Sequence, residues 1–275
     1  MCELLGMECN VPTDIVFSFS GLRQRGGKTA PHADGWGLAF YEGRATRVFL
    51  EPEAACHSPL ASFLSGHPIK TLLAIGHVRR RTRGPTTLAN THPFVRELWG
   101  RPWSFAHNGQ LRGVKKLALG SFRPIGTTDS EHAFCWMLDQ LRERWATAPS
   151  SGALQTAIEE LAGELADLGV FNMLLADGRS MFAYRTTKLV YRTRRAPFGV
   201  ATLVDDDFSV DFGPLTSPTD VVTTVASCPL TRDESWTEAP AHRLLVLRDG
   251  EVHSGVQRNA MRARAAIEAS PLLHA

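Results

Sequence analysis

Met1-Cys2-Glu3-Leu4-Leu5-Gly6 opens the chain, and the rest is organised around it. A cysteine is a small side chain, so an initiator Met ahead of it can be trimmed, leaving Cys2 as the N-terminal residue. A thiol and a free α-amine then share one residue. The amine's ordinary pKa is about 7.7–8.0 and the thiol's about 8.5, so both titrate near neutrality. Such an amine can take the thiol's proton, directly or through one water, which joins nucleophile and base in a single residue. The apolar run Cys2–Met7 reads as a buried strand beginning at that nucleophile. A Met-Cys start is a weak signal alone, and it gains weight only from the motifs further along the chain.

The composition excludes several classes. The 275 residues are 43% hydrophobic and 21% charged, a globular balance with material for a large core. A net charge of +2 argues against a nucleic-acid or membrane surface as the main partner. No apolar run approaches the roughly 20 residues of a membrane span. Glu3 and Glu8 replace the basic start of a secretory signal. The five cysteines (Cys2, Cys9, Cys56, Cys135, Cys228) are odd in number and scattered, as expected of reduced thiols in a cytoplasmic protein. Ten histidines show no His-Glu-x-x-His or paired Cys/His spacing, so no metal is expected. Neither a P-loop nor a Gly-x-Gly-x-x-Gly pattern is present, and no cofactor is expected.

Along the chain, Pro12-Thr13-Asp14 reads as a helix start, and Gly26-Gly27 as its end. Asp34-Gly35-Trp36-Gly37 leads into the strand Leu38–Tyr41, turned at Glu42-Gly43 into Val48–Leu50. Leu72–Val78 reads as a buried strand running into Arg79-Arg80-Arg81-Thr82-Arg83-Gly84. Trp103–His107 is another, stopped by Asn108-Gly109. Thr128-Asp129-Ser130-Glu131 has capping-box spacing for a helix carrying Phe134, Met137, Leu138, Leu141 and Trp145. A second helix runs from about Ser151 to Gly169. Strands follow at Phe171–Ala176, Met181–Tyr184, Leu189–Tyr191, Val221–Ala226 and Leu244–Leu247, with a turn at Asp249-Gly250. The Ala- and Arg-rich tail after about 258 reads as a terminal helix. No repeat or linker divides residues 1–275, which are expected to form one α+β domain of antiparallel sheets covered by helices.

Four constellations carry chemistry besides Cys2. In Gly76-His77-Val78-Arg79 a buried strand delivers an arginine, whose planar fork grips a carboxylate; for Arg80, Arg81 and Arg83 a solvated basic loop is the better reading. Asn90-Thr91-His92-Pro93 is a polar turn. His107-Asn108-Gly109 offers an amide and a backbone N–H suited to an oxyanion hole, although Asn-Gly is also a common turn. Asp129 is otherwise a charge in a helix's first turn.

In this order the motifs resemble those of the class II glutamine amidotransferases, whose glutaminase domains use an N-terminal nucleophile. The finer pattern resembles the stand-alone YafJ-type branch. Asp34-Gly35-Trp36-Gly37, Arg96-Glu97-Leu98-Trp99-Gly100 and Phe171-Asn172-Met173-Leu174 are similar to it, as are Arg195-Ala196-Pro197-Phe198-Gly199-Val200 and Pro229-Leu230-Thr231. The resemblance covers the chain to about Gly250. It implies a four-layer αββα sandwich with two packed, mainly antiparallel sheets.

It also implies roles. Cys2 is the nucleophile and its amine the base; Asn108 and the Gly109 N–H form the oxyanion hole. Arg79 holds the α-carboxylate of glutamine and Asp129 its ammonium group, with Thr82 and His92 lining or ordering the pocket. The Cys2 thiolate attacks the γ-amide, ammonia leaves, and water releases glutamate from the thioester. The synthase members usually follow the arginine with Trp and close that loop with Thr-His-Gly. Here Arg80-Arg81-Thr82-Arg83-Gly84 stands instead, which puts the role of Thr82 in question. With no synthase domain expected, the ammonia goes to a separate synthase subunit, or the substrate is another γ-glutamyl amide that is simply cleaved. A non-catalytic glutamine-binding module is the third reading, opposed by the intact nucleophile.

Overall fold

The computed structural model describes residues 2–82 and 84–254. The expected helix after about 258 lies outside them. In chain order come β1 (Glu3–Thr13), α1 (Val16–Arg25), β2 (Trp36–Glu42), β3 (Ala45–Glu51), α2 (Pro59–Gly66) and β4 (Thr71–Val78). The hairpin β5 (Phe94–Leu98) and β6 (Arg101–Leu111) leads to the helices α3 (Asp129–Arg144) and α4 (Ser151–Ala166). Next are β7 (Gly169–Ala176), β8 (Met181–Tyr184), β9 (Val190–Arg195) and a small hairpin, β10 (Val200–Thr202) with β11 (Ser209–Asp211). The described chain ends with β12 (Val221–Ala226), β13 (Thr237–Glu238), β14 (Leu244–Arg248) and β15 (Glu251–Ser254).

Two antiparallel sheets dominate. One has seven strands in the order β13-β9-β12-β1-β4-β2-β3, the other six in the order β15-β14-β8-β7-β6-β5. Three apolar layers hold them. Leu5, Met7, Phe19, Leu22, Leu38 and Leu64 pack α1 and α2 on the outer face of the first sheet. Leu4, Ile75, Ala106, Leu174 and Leu245 fill the space between the sheets. Phe105, Phe134, Ile158, Leu161 and Phe171 pack α3 and α4 on the second. The architecture is an αββα sandwich of the α+β class.

The central strand shows why the sequence folds this way. Successive side chains of a strand point to opposite faces, so Leu5 and Met7 join the helix-facing layer while Leu4 joins the layer between the sheets. Both faces are buried, so the strand reads as a nearly continuous apolar run. Gly6 points at the other sheet: a Cβ there would stand 2.6 Å from the Met181 sulfur. Glycine therefore sets how closely the sheets approach behind Cys2.

Three expectations are corrected. β1 continues through Pro12 and Thr13, and the helix begins only at Val16, whose N–H donates to Asp14 Oδ1 at 3.1 Å. Asn108-Gly109 does not stop a strand, since β6 runs through both to Leu111, paired with β7. The expected capping box is also only half formed. Thr128 Oγ1 accepts from Glu131 N at 3.1 Å, but the Glu131 carboxylate accepts from Ile125 and Gly126 and pairs with Arg96.

Candidate active site

Cys2 stands one residue before β1, and Arg79 one residue beyond β4. The strands pair antiparallel with Glu3 opposite Val78, so the register sets Cys2 and Arg79 side by side. The half-buried Cys2 sulfur lies 3.4 Å from Arg80 N, which donates to it, and 3.5 Å from Arg80 O. Burial pushes the thiol's pKa up, while the Arg80 N–H and the Arg79 charge pull the other way.

Arg79 is buried, with 4% of its surface exposed. Its backbone is fixed at both ends: Arg79 N donates to Gly35 O at 2.7 Å, and Asp34 N donates to Arg79 O at 3.0 Å. Nη1 donates to the carbonyls of Asp34 and Pro85 at 3.4 and 3.3 Å. No carboxylate lies within 4 Å of its guanidinium among the described residues. Asp34 spends its own oxygens on Arg81 N (2.9 Å) and Thr86 Oγ1 (3.3 Å). Burial draws the Arg79 pKa down. A buried cation without an ionic partner is costly, and a planar carboxylate is the ligand that satisfies its fork.

Asn108 and Gly109 are brought to the site by β6. The Asn108 amide is buried, its Nδ2 donating to Ser227 Oγ at 3.3 Å, and that hydroxyl also accepts from Leu4 N at 2.9 Å. Asn108 Oδ1 has no partner. The Asn108 carbonyl accepts from Asn172 Nδ2 at 3.0 Å, and Asn172 Oδ1 accepts three N–H groups, from Thr186, Thr187 and Lys188. Gly109 has no room for a side chain, because a Cβ would stand 1.8 Å from Val170 O. β5 covers β6 only from Arg101 to Phe105, which leaves the far end of that edge open to the cavity.

Asp129 opens α3, with Oδ2 accepting from Leu111 N and Oδ1 from Ser130 N, both at 2.9 Å. It faces the cavity from the opposite wall to the Cys2 strand, in company with Thr128 and Ser130.

Three buried histidines lie behind the thiol. The His77 and His92 rings lie 4.2 Å apart between centroids, tilted by 33°, and none of their four nitrogens has a hydrogen-bond partner. His107 is bonded at both nitrogens, to Ser130 Oγ at 2.8 Å and Val170 O at 3.1 Å. Burial pushes His77 down to about 3 and His92 well below the usual range, and lowers His107. Burial thus holds all three toward the neutral form, and Arg79 is the side chain whose positive charge acts on Cys2.

Cys2, Arg79, Thr82, His92, Gly109 and Asp129 line one cavity of about 530 Å³. Asn108 is not in its wall but directly behind it, next to Gly109. Thr82 is exposed at the rim beside Arg81, whereas Asn90-Thr91-His92 is buried and not an open polar turn. Sequence reasoning missed Ser227, a lone serine after a strand with no local signal. It also missed Arg112 and Lys115, which complete the rim.

The sequence family of glutamine amidotransferases class-II matches residues 1–271. The chain belongs to this family of enzymes. Among its relatives is YafJ of Escherichia coli K12, assigned as a glutamine amidotransferase. It is 56% identical over 86% of this chain and 93% of its own. The crystal structure of a predicted glutamine amidotransferase from Pseudomonas aeruginosa PA01 is 46% identical, with a TM-score of 0.75, and covers 92% of this chain and all of its own. The glutamine phosphoribosylpyrophosphate amidotransferase of B. subtilis shares the fold at 15% identity, with a TM-score of 0.59 over 94% of this chain and 50% of its own.

Proposed function

We propose that the chain hydrolyses the γ-amide of glutamine, or of a γ-glutamyl amide, through a thioester on Cys2. The observation that carries the reading is the buried, carboxylate-free guanidinium of Arg79 beside the Cys2 sulfur. It offers a two-pronged site for the substrate's α-carboxylate, while Asp129 on the facing wall takes the α-ammonium group. Thr82 and His92 line the remainder.

Removal of Met1 frees the Cys2 amine, which takes the thiol's proton. The thiolate adds to the carbonyl carbon of the γ-amide, and the negative charge moves to the carbonyl oxygen. Gly109 N–H and the Asn108 amide stabilise that oxygen. For the amide to donate, it is turned over so that the Ser227 hydroxyl donates to Oδ1 and Nδ2 is released. The amine's proton passes to the departing nitrogen, the C–N bond breaks and ammonia leaves. Water then adds to the thioester, the C–S bond breaks, and glutamate departs.

A separate synthase subunit would take the ammonia. A second reading is favoured by the cavity's reach to Arg112 and Lys115, which leaves room for a substituted amide cleaved without ammonia transfer. The five unpaired cysteines fit a reducing compartment, the cytoplasm. The test is to follow glutamate release from glutamine and a panel of γ-glutamyl amides. Release from none of them, with Met1 confirmed absent by mass, would overturn the reading.

A further inference from the structure

A second cavity, of about 400 Å³, opens away from the Cys2 site at the end of the sandwich where three hairpin turns meet. The β2–β3 turn brings Arg44, the β5–β6 turn brings Trp99 and leads into Arg101, and the β7–β8 turn brings Arg179. Both sheets contribute, and Tyr41 joins them at the base. Its hydroxyl lies 2.8 Å from Ser104 Oγ and 2.8 Å from Ala176 O. The Trp99 ring is held by its Nε1–H, which donates to Trp145 O at 3.2 Å. The floor of the cavity is therefore fixed.

Three guanidiniums face this space with little to neutralise them. Asp177 is the carboxylate among the cavity's lining residues, and it is committed elsewhere, since Oδ1 accepts from Arg179 N and Ser180 N at 2.9 Å. Its Oδ2 makes a long ion pair with Arg101 Nη1 at 3.8 Å, so a single carboxylate stands against three guanidiniums. Arg44 makes one long bond, 3.4 Å to Gly100 O. The Arg179 guanidinium has no hydrogen-bond or ion-pair partner among the described residues. Glu97, on the adjoining rim, accepts from Gly100 N. Burial and the neighbouring charges of Arg179 and Arg44 lower the pKa of Arg101 against the opposing pull of Asp177, as expected where like charges outnumber the one carboxylate.

We propose that this cavity binds a small phosphorylated molecule, its phosphate held by Arg44, Arg101 and Arg179. The planar fork of arginine matches the oxygens of a phosphate. Three forks converging from separate turns suit a tetrahedral dianion better than a single flat carboxylate. The volume lies within the range of small-molecule sites, so the space exceeds the bare ion and leaves room for an organic portion beside Trp99. Nothing in this assignment depends on the chemistry at Cys2.

The experiment is calorimetric titration of the full chain with inorganic phosphate, pyrophosphate and a hexose phosphate at constant ionic strength, with sodium acetate as the control anion. Glutamate is present at saturation to occupy the Cys2 cavity. Saturable one-to-one binding of at least one phosphate compound is expected. It should weaken at least tenfold in Arg101→Gln and in the double variant Arg44→Gln/Arg179→Gln. The latter changes only exposed side chains, so its folding is not at risk. Glutamate release should stay at wild-type rates in the double variant. Absence of saturable heat, equal response to acetate, binding unchanged in the double variant, or binding lost when glutamate is added would each overturn the proposal.

Discussion

Asn108 and Ser227 are separated by 119 residues and meet at a hydrogen bond of 3.3 Å, in which the same serine hydroxyl also accepts from Leu4 N. The contact ties the strand that carries the proposed oxyanion donors to the strand that begins beside the proposed nucleophile, Cys2. Asn108→Ala should lower kcat by about 10²–10³, the scale for losing one oxyanion donor, with little change in KM. Ser227→Ala removes the group that orients the amide and should lower kcat about tenfold, again with KM unchanged. It also leaves Leu4 N without its buried acceptor, at a cost of about 1–3 kcal/mol in stability. Steady-state kinetics and denaturant melts separate the two effects. Wild-type kcat in Ser227→Ala would leave the serine a purely structural role.

Arg79 and Arg81 make a matched pair, close in sequence but one buried and one exposed. Arg79→Lys keeps the charge and loses the fork. It should cut kcat/KM by at least 100-fold for every γ-glutamyl substrate, without altering the circular dichroism spectrum. Arg81→Lys should stay within a few fold of wild type, because Asp34 Oδ2 binds the backbone N–H of residue 81, which any side chain leaves in place. Equal losses in the two variants would remove Arg79 from the carboxylate site.

The positions of the elements and the residues that meet in the cavity were partly legible in the sequence, for different reasons. β1, β4 and α3 carry their own signals, because apolar runs and a Thr cap are local. Asn108-Gly109 misled because Asn-Gly is a turn signal in isolation. Here β7 pairs across it, and the lack of a side chain is needed for the 1.8 Å space beside Val170 O. Ser227 and Asn172 act only through partners far away in the chain, and no local pattern announces such contacts. The three-arginine cavity was hidden for the same reason, since Arg44, Arg101 and Arg179 lie in three separate turns.

Acid stability should depend on His77. Its folded pKa is about 3, against about 6.5 for an exposed histidine, so the unfolded chain binds the extra proton. The stability it contributes is therefore full above about pH 6.5 and is lost as pH falls toward 3, by about 1.4 kcal/mol per pH unit inside that window. Glu8 has the opposite sign. Burial raises it from 4.5 to about 7, although Asp249 N and Gly250 N donate to it. Its contribution is full below about 4.5 and is lost as pH rises through 7. His77→Phe keeps an aromatic ring against His92 and removes two unpartnered nitrogens. Urea melts from pH 4 to 8 should show a shallower acid limb for His77→Phe. For Glu8→Gln, stability should climb more steeply with pH between 4.5 and 7. An unchanged acid limb in His77→Phe would mean that this histidine is protonated in the folded state.

In the proposed mechanism, the N-terminus is the part that processing controls. Any residue ahead of Cys2 converts its amine to an amide, which cannot accept the thiol's proton, while β1 and the cavity behind it stay as they are. A chain with Met1 retained, or with an uncleavable leader, should bind glutamate normally and release none from glutamine. Cys2→Ala should be inactive, and Cys2→Ser should keep a trace because the amine remains. Burial raises the Cys2 thiol, and the Arg80 N–H and Arg79 oppose it; in the processed enzyme the freed amine joins them. The rise of kcat/KM with pH should therefore report the amine–thiol pair as coupled values, not the pKa of either group alone. The measurement is a protease-cleavable leader placed directly before Cys2, with intact mass and glutamate release recorded before and after cleavage. Activity should appear in proportion to the cleaved fraction. Full turnover from the uncleaved chain would place the base on another residue. With His77, His92 and His107 all buried, His107 is the one whose hydrogen bonds, through Ser130, reach the wall that carries Asp129.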